Sequence, residues 1–239
     1  MHRGWASAGC AVVLALAGTV AAAQDSHGPV VVELFTSQGC PACPPADALL
    51  GELALREDVI ALSLHVDYWD YIGWEDAFAT PEFTQRQYDY GHVAGSNVVY
   101  TPQMIVAGQD HVVGVRPMAL AELIQAHRAA PDPVTLTVEA LADGYRIEAT
   151  AHMPPPRPAM VVQLVSYTPL AEMQIERGER AGSLGRHYNV VTSWQVIGEW
   201  TGASPFSFTL SPQPDRPHAV IVQQAGQGPI LGAARIDAR

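Results

Sequence analysis

VVVELFTSQGCPACPPAD, running from Val30 to Asp47, is the stretch that decides the fold. Val30–Phe35 is apolar and rich in β-branched residues apart from Glu33, and Gly28-Pro29 and Ser37-Gln38-Gly39 bound it, which predicts a buried strand. Pro44 and Pro45 suit the first turn of a helix, and apolar positions recur at helical spacing through Pro45–Leu55. Between strand and helix lies Cys40-Pro41-Ala42-Cys43. Working outward, Val59–Val66 predicts a second buried strand. Thr80-Pro81 predicts the capped start of a helix reaching about Tyr90. Gln103–Ala107 and His111–Val115 flank Gly108-Gln109-Asp110 as a hairpin, and Pro117–Ala129 is amphipathic. The predicted order over residues 28–130 is β-α-β-α-β-β-α, an α/β arrangement.

Pro131-Asp132-Pro133 interrupts this run. Beyond it the pattern alternates, and Asp143-Gly144 is a strong hairpin signal between Val134–Ala142 and Tyr145–Ala151. Further strand-like runs occur at Met160–Tyr167, Phe206–Leu210, Ala219–Gln224 and Pro229–Ala234, with Gly185–Trp200 the least decided. Residues 134–239 therefore predict a small all-β domain of their own.

At the N-terminus, Arg3 precedes an almost wholly small and apolar run ending in Ala21-Ala22-Ala23. These features predict a cleavable secretory signal over residues 1–23 and a periplasmic or secreted product. The chain has 239 residues, 24 acids and 13 basic residues, all arginine, for a net charge of −11. That composition excludes a protein built to neutralise phosphates, so nucleic acid is not an expected partner. Signal removal takes Cys10 and leaves Cys40 and Cys43. No second C-x-x-C or H-x-x-x-H completes a structural zinc site.

In an oxidising compartment this pair either cycles through a disulfide or stays in one. At the end of a strand and the start of a helix, Cys40 is expected to be the more exposed and more acidic thiol. Cys43 would be the shielded partner that resolves a mixed disulfide. Pro44 works against this, because the residue before a proline is pushed from helical angles. Cys43 is then set ahead of the regular helix, which weakens the dipole's hold on Cys40. Glu33 shares a strand face with Val31 and Phe35, either to move protons or as a hydrogen-bonded structural acid; His65 on the neighbouring strand is a candidate to pair with it, although a lone strand histidine is more often a satisfied core group. An insertion, Asp67-Tyr68-Trp69-Asp70-Tyr71-Ile72-Gly73-Trp74-Glu75-Asp76, opens a longer extra segment of about residues 67–95. Tyr68 and Trp69 within it either form a substrate platform or pack as a satellite core under a loop.

Residues 30–129 resemble a thioredoxin-fold domain in element order, in the placement of Cys40 and Cys43, and in Thr101-Pro102 ahead of Gln103-Met104-Ile105-Val106. The resemblance implies a cis peptide at Pro102, a substrate main chain pairing with Thr101, and proton transfer by a buried strand acid, which Glu33 resembles. A closer similarity, to secreted thioredoxin-like proteins grouped as domain of unknown function 1223, is carried by Glu33 to Asp47, by His65-Val66-Asp67-Tyr68-Trp69-Asp70, by Tyr100-Thr101-Pro102-Gln103, and by Asn189-Val190-Val191 with Trp194. That similarity implies the fold and no settled activity; the placement of Cys40 and Cys43 is what points to a thiol–disulfide oxidoreductase, without cofactor or metal, acting on thiol- or disulfide-containing proteins or small thiols. Two other functions use the same residues. One is copper delivery through Cys40 and Cys43 with His65, His92 or His111. The other is a redox-silent binding module with a structural Cys40–Cys43 disulfide.

Overall fold

In a computed structural model that describes residues 1, 27–211 and 215–238, the strand at the head of the Val30–Asp47 stretch is buried along its whole length. The expected leader lies outside the described residues. Every residue of β1 (Val30–Thr36) is buried. It runs parallel to β2 (Val59–His65) and antiparallel to β3 (Gln103–Val106). The chain then turns through Gly108, at φ +70°, into β4 (Asp110–Val113).

Three helices cover this sheet: α1 (Pro44–Ala54), α2 (Pro81–Val93) and α3 (Pro117–Ala129). Each begins at a proline, whose missing N–H costs nothing in a first turn. Thr80 also caps α2, its hydroxyl accepting from the Phe83 N–H at 3.3 Å. Alternation along β1 sorts the helices to opposite faces. Val30, Val32 and Leu34 pack with Ala46 and Leu50 of α1 and with Leu120 and Ile124 of α3. Val31 and Phe35 pack with Phe83 and Tyr90 of α2.

The C-terminal half is β in every element: β5 (Val134–Leu141), β6 (Gly144–Ala151), β7 (Met160–Gln174), β8 (Leu184–Trp200), β9 (Phe206–Leu210), β10 (His218–Gln224) and β11 (Ile230–Ile236). It does not form the sheet of its own that the alternation predicts. Four of its strands extend the first sheet, in the order β11-β10-β7-β8-β2-β1-β3-β4, and β5-β6-β9 form a separate antiparallel sheet. The reason lies in two-sided burial. Val191, Ala219 and Ile221 enter the same core as Val31 and Phe35, while Val220 and Val222 face the three-stranded sheet.

The junction is β8, the segment least decided from sequence. Val190 pairs in parallel with Ser63 of β2. Beside it Asn189 adopts φ +47°, and its side-chain amide donates to the Ala61 carbonyl at 2.8 Å. Asparagine is among the few residues that tolerate this left-handed conformation. The result is an α/β fold, with an eight-stranded mixed sheet, three helices and a second small sheet. No helix among the described residues is long and apolar enough to cross a membrane.

Candidate functional site

β1 ends at Thr36, and the next residues turn tightly into α1: Cys40 N–H donates to Ser37 O, and Cys43 N–H donates to Cys40 O. Cys40 and Cys43 are joined in a disulfide with Cα atoms 5.4 Å apart. Cys43 is the N-cap of α1, and its carbonyl accepts from the N–H groups of Ala46 and Asp47. Pro44 and Pro45 have no N–H to offer. The helix start therefore brings the sulfurs its dipole but little hydrogen bonding.

The expected exposure of Cys40 is overturned. Both cysteines are 0% exposed, although Pro41 and Ala42 between them are at the surface. Two distant segments cover the pair. From the insertion, Trp69 and Ile72 press on Gly39, where a methyl group would come within 3.2 Å of Ile72 and 3.3 Å of Trp69. Trp74 Nε1 donates to Gln38 Oε1 at 2.7 Å. The second cover is the arm connecting β7 to β8. Its Gly178 faces Trp74 and Ile72, and its Arg180 Nη1 donates to the Gln38 carbonyl at 3.2 Å.

Thr101 and Pro102 also meet this assembly. The Thr101–Pro102 peptide is cis, and Trp69 Nε1 donates to Thr101 Oγ1 at 2.7 Å. Trp69 thus spans from the cysteine loop to the cis proline. Tyr68 donates to Gln87 Oε1 at 3.1 Å, and the Gln87 amide donates to the Tyr100 carbonyl and to Gln103 Oε1. Burial pushes the Tyr68 phenol up to about 12, so it stays a neutral donor. Tyr68 and Trp69 pack against the core containing Phe35 and Phe83, while Tyr71 is 83% exposed. The insertion is therefore satellite core and cover together.

Glu33 is occupied elsewhere. Its carboxylate takes two hydrogen bonds from Arg86, at 2.6 and 3.0 Å, and one from the Tyr90 hydroxyl at 2.6 Å. The Arg86 guanidinium lies 3.8 Å from the Trp194 ring centre and also donates to Gln223. Burial alone would lower the Arg86 pKa, but the Glu33 charge raises it above its ordinary value. Among the described residues no hydrogen bond joins Glu33 to the cysteine loop.

His65 does not pair with Glu33, because the register sets Glu33 opposite Leu62 and His65 opposite Thr36. Its Nδ1 instead donates to Asp76 Oδ2 at 2.7 Å. The same oxygen accepts from the Gln38 N–H at 2.7 Å. Burial would raise the Asp76 pKa, but His65 and the main-chain donors of Gln38 and Phe78 bring it below the ordinary value. Asp47, one helical turn beyond Cys43, accepts from the Thr36 hydroxyl at 2.8 Å. Its other oxygen lies 3.6 Å from His187 Nδ1. The His65 and His187 rings are 4.6 Å apart.

His187 and Arg180 carry no signal in the sequence. They reach the cysteine loop only because β8 crosses to β2, and each looks like an ordinary residue of a strand or its arm. His92 lies in the last turn of α2, and His111 is on β4 against the Tyr90 ring. Among the described residues no three His, Cys, Asp or Glu side chains are grouped so as to hold a metal ion.

No curated protein matches the chain. A crystal structure of protein AGR_C_4864 from Agrobacterium tumefaciens is similar, with 32% sequence identity and a TM-score of 0.76. The match covers 89% of this chain and 96% of that one. Residues 31–223, from the first core strand to the end of β10, match the profile described as "Protein of unknown function (DUF1223)". The cysteine loop, the insertion and the arm that covers them all fall inside that span, and the chain belongs to the DUF1223 family.

Proposed function

We propose that this protein is an exported thiol–disulfide oxidoreductase on a thioredoxin-like scaffold, acting on cysteines of other proteins or on small thiols. The observation that carries this is the Cys40–Cys43 disulfide at a strand–helix turn, with Trp69 packed on Gly39 of that turn and hydrogen-bonded to Thr101. Among the described residues no hydrogen bond engages the main chain of Thr101, which leaves it free to pair with a substrate strand. In the exchange, an incoming thiolate bonds to Cys40 Sγ, the Cys40–Cys43 bond breaks, and its electron pair leaves on Cys43 Sγ. A second substrate thiolate then attacks the substrate sulfur of the mixed disulfide, forming a substrate disulfide and releasing the Cys40 thiolate; in the opposite direction, where Cys40 has attacked a substrate disulfide, Cys43 closes on Cys40 and releases the substrate thiolate. The leader over residues 1–23 is read as the export signal, which places this chemistry where disulfides persist.

A second reading is favoured by one observation. Sulfurs that are 0% exposed suit a redox-silent binding module whose disulfide only fixes the turn. The two separate in dithiothreitol under native conditions. An oxidoreductase is reduced without loss of circular dichroism and turns over a dithiol substrate, and Cys40→Ser abolishes the turnover while keeping the fold. A structural disulfide resists native reduction and has a potential below about −300 mV. That outcome would remove the enzymatic reading.

Because Ile72 and Arg180 hold the two covers, the double substitution Ile72→Ala/Arg180→Ala should speed native-state reduction by about tenfold, by making local opening easier. The rate of thiol appearance on adding dithiothreitol measures this. An unchanged rate means that reduction proceeds through global unfolding.

A further inference from the structure

Behind the cysteine loop lie two imidazoles whose hydrogen bonding is incomplete. His65 and His187 are both 0% exposed. His65 Nε2 and both ring nitrogens of His187 have no hydrogen-bond partner among the described residues. Unpaired buried polar atoms are costly, and native proteins rarely retain several together. His187 is confined as well: a methyl group on Gly185 would come within 2.9 Å of its Nε2.

Charged groups from three elements stand around the rings. Asp47 comes from α1, Asp76 from the insertion and Arg180 from the arm; Arg180 is attracted to both carboxylates although burial lowers its pKa. The two carboxylates thus face one guanidinium and the two rings, Asp76 bonded to His65 and Asp47 3.6 Å from His187 Nδ1. Opening the disulfide would add a thiolate in a buried site whose helix start offers no N–H from Pro44 or Pro45. Asp47 stands four residues after Cys43, hence on the same helix face. Beside Asp47, 3.6 Å away, His187 Nδ1 has no hydrogen-bond partner among the described residues.

Resting on the oxidoreductase reading, we propose that the His65–His187 pair is the charge partner of the Cys43 thiolate, taking up one proton from solvent when the disulfide opens and returning it when the disulfide closes. The electron pair comes from the external thiolate, which becomes bonded to Cys40 in a mixed disulfide while Cys43 Sγ is the leaving group. The proton taken up balances the electron pair left on Cys43 Sγ. A His187 imidazolium would also complete an ion pair with Asp47, satisfying a nitrogen that the oxidised state leaves bare.

The test uses the full chain. Ring-proton NMR titrations of the oxidised and the dithiothreitol-reduced protein are compared, with the two rings identified by loss of signal in His65→Gln and His187→Gln. At least one ring should hold its proton to a pH about one unit higher in the reduced protein, a tenfold gain in proton affinity. Coupling is reciprocal, so His187→Gln should raise the pH at which the reactive thiol ionises by a similar amount, read from the pH profile of iodoacetamide labelling. Identical ring titrations in the two redox states overturn the proposal and leave the oxidoreductase reading intact. Failure to reduce the folded protein at all overturns both.

Discussion

Arg86→Met should lower the stability of the folded protein by about 3–5 kcal/mol, the range seen when one partner of a buried ion pair is removed. Glu33 is 0% exposed, and without Arg86 its carboxylate retains only the Tyr90 hydroxyl. The stacking of the guanidinium on Trp194 is lost as well. Urea unfolding reads the effect as a fall in midpoint at unchanged slope. The double substitution Glu33→Gln/Arg86→Met removes the stranded charge and should recover more than half of the loss. A loss below about 1 kcal/mol would instead mean that water reaches Glu33, as at exposed pairs. Native-state reduction of Cys40–Cys43 should proceed in Arg86→Met at close to the parent rate, because Glu33 has no hydrogen bond to the cysteine loop.

Asp76→Ala is the second large effect. The Asp76 carboxylate accepts from the Gln38 N–H at 2.7 Å, from His65 Nδ1 at 2.7 Å and from the Phe78 N–H at 2.9 Å. Removing it leaves these donors unpaired in a buried site, at a cost of about 3 kcal/mol or more. It also has a signature in pH. The carboxyl is held below its ordinary pKa in the folded chain, so the stability it contributes is fully present above the unfolded value, about 3.9, and is lost as pH falls through the folded value. Urea midpoints between pH 7 and pH 3 should fall more steeply for the parent protein than for Asp76→Ala. Parallel curves would show that Asp76 is not the group responsible.

Much of the first half was legible because its signals are local. Val30–Phe35, the prolines at Pro44, Pro81 and Pro117, and the Thr80 cap each specify their element with a residue or two. The C-x-x-C at the strand–helix turn followed from the same stretch. Tertiary cover decided the exposure of Cys40, and the residues that supply it are remote. The Arg180 hydrogen bond to Gln38 spans 142 positions, and His187 has no neighbour in sequence that marks it. Glu33 was legible as an anomaly, a charge in an apolar strand. Its partner was not, because strand register sends His65 to Asp76 and the α2 helix brings Arg86 across the opposite face. The independent β domain expected over 134–239 failed for a related reason. Alternation shows that a strand has two faces, but it does not say which other strand will lie along its edge.

The arm that seals the cysteine loop bears on how the molecule is born. A polypeptide made from its N-terminus sets out Cys40 and Cys43 long before Arg180 exists. Through that interval the nascent thiols stand open to any oxidant they meet. A bond made in that interval forms without the shell, whereas one made or broken after folding requires the shell to open first.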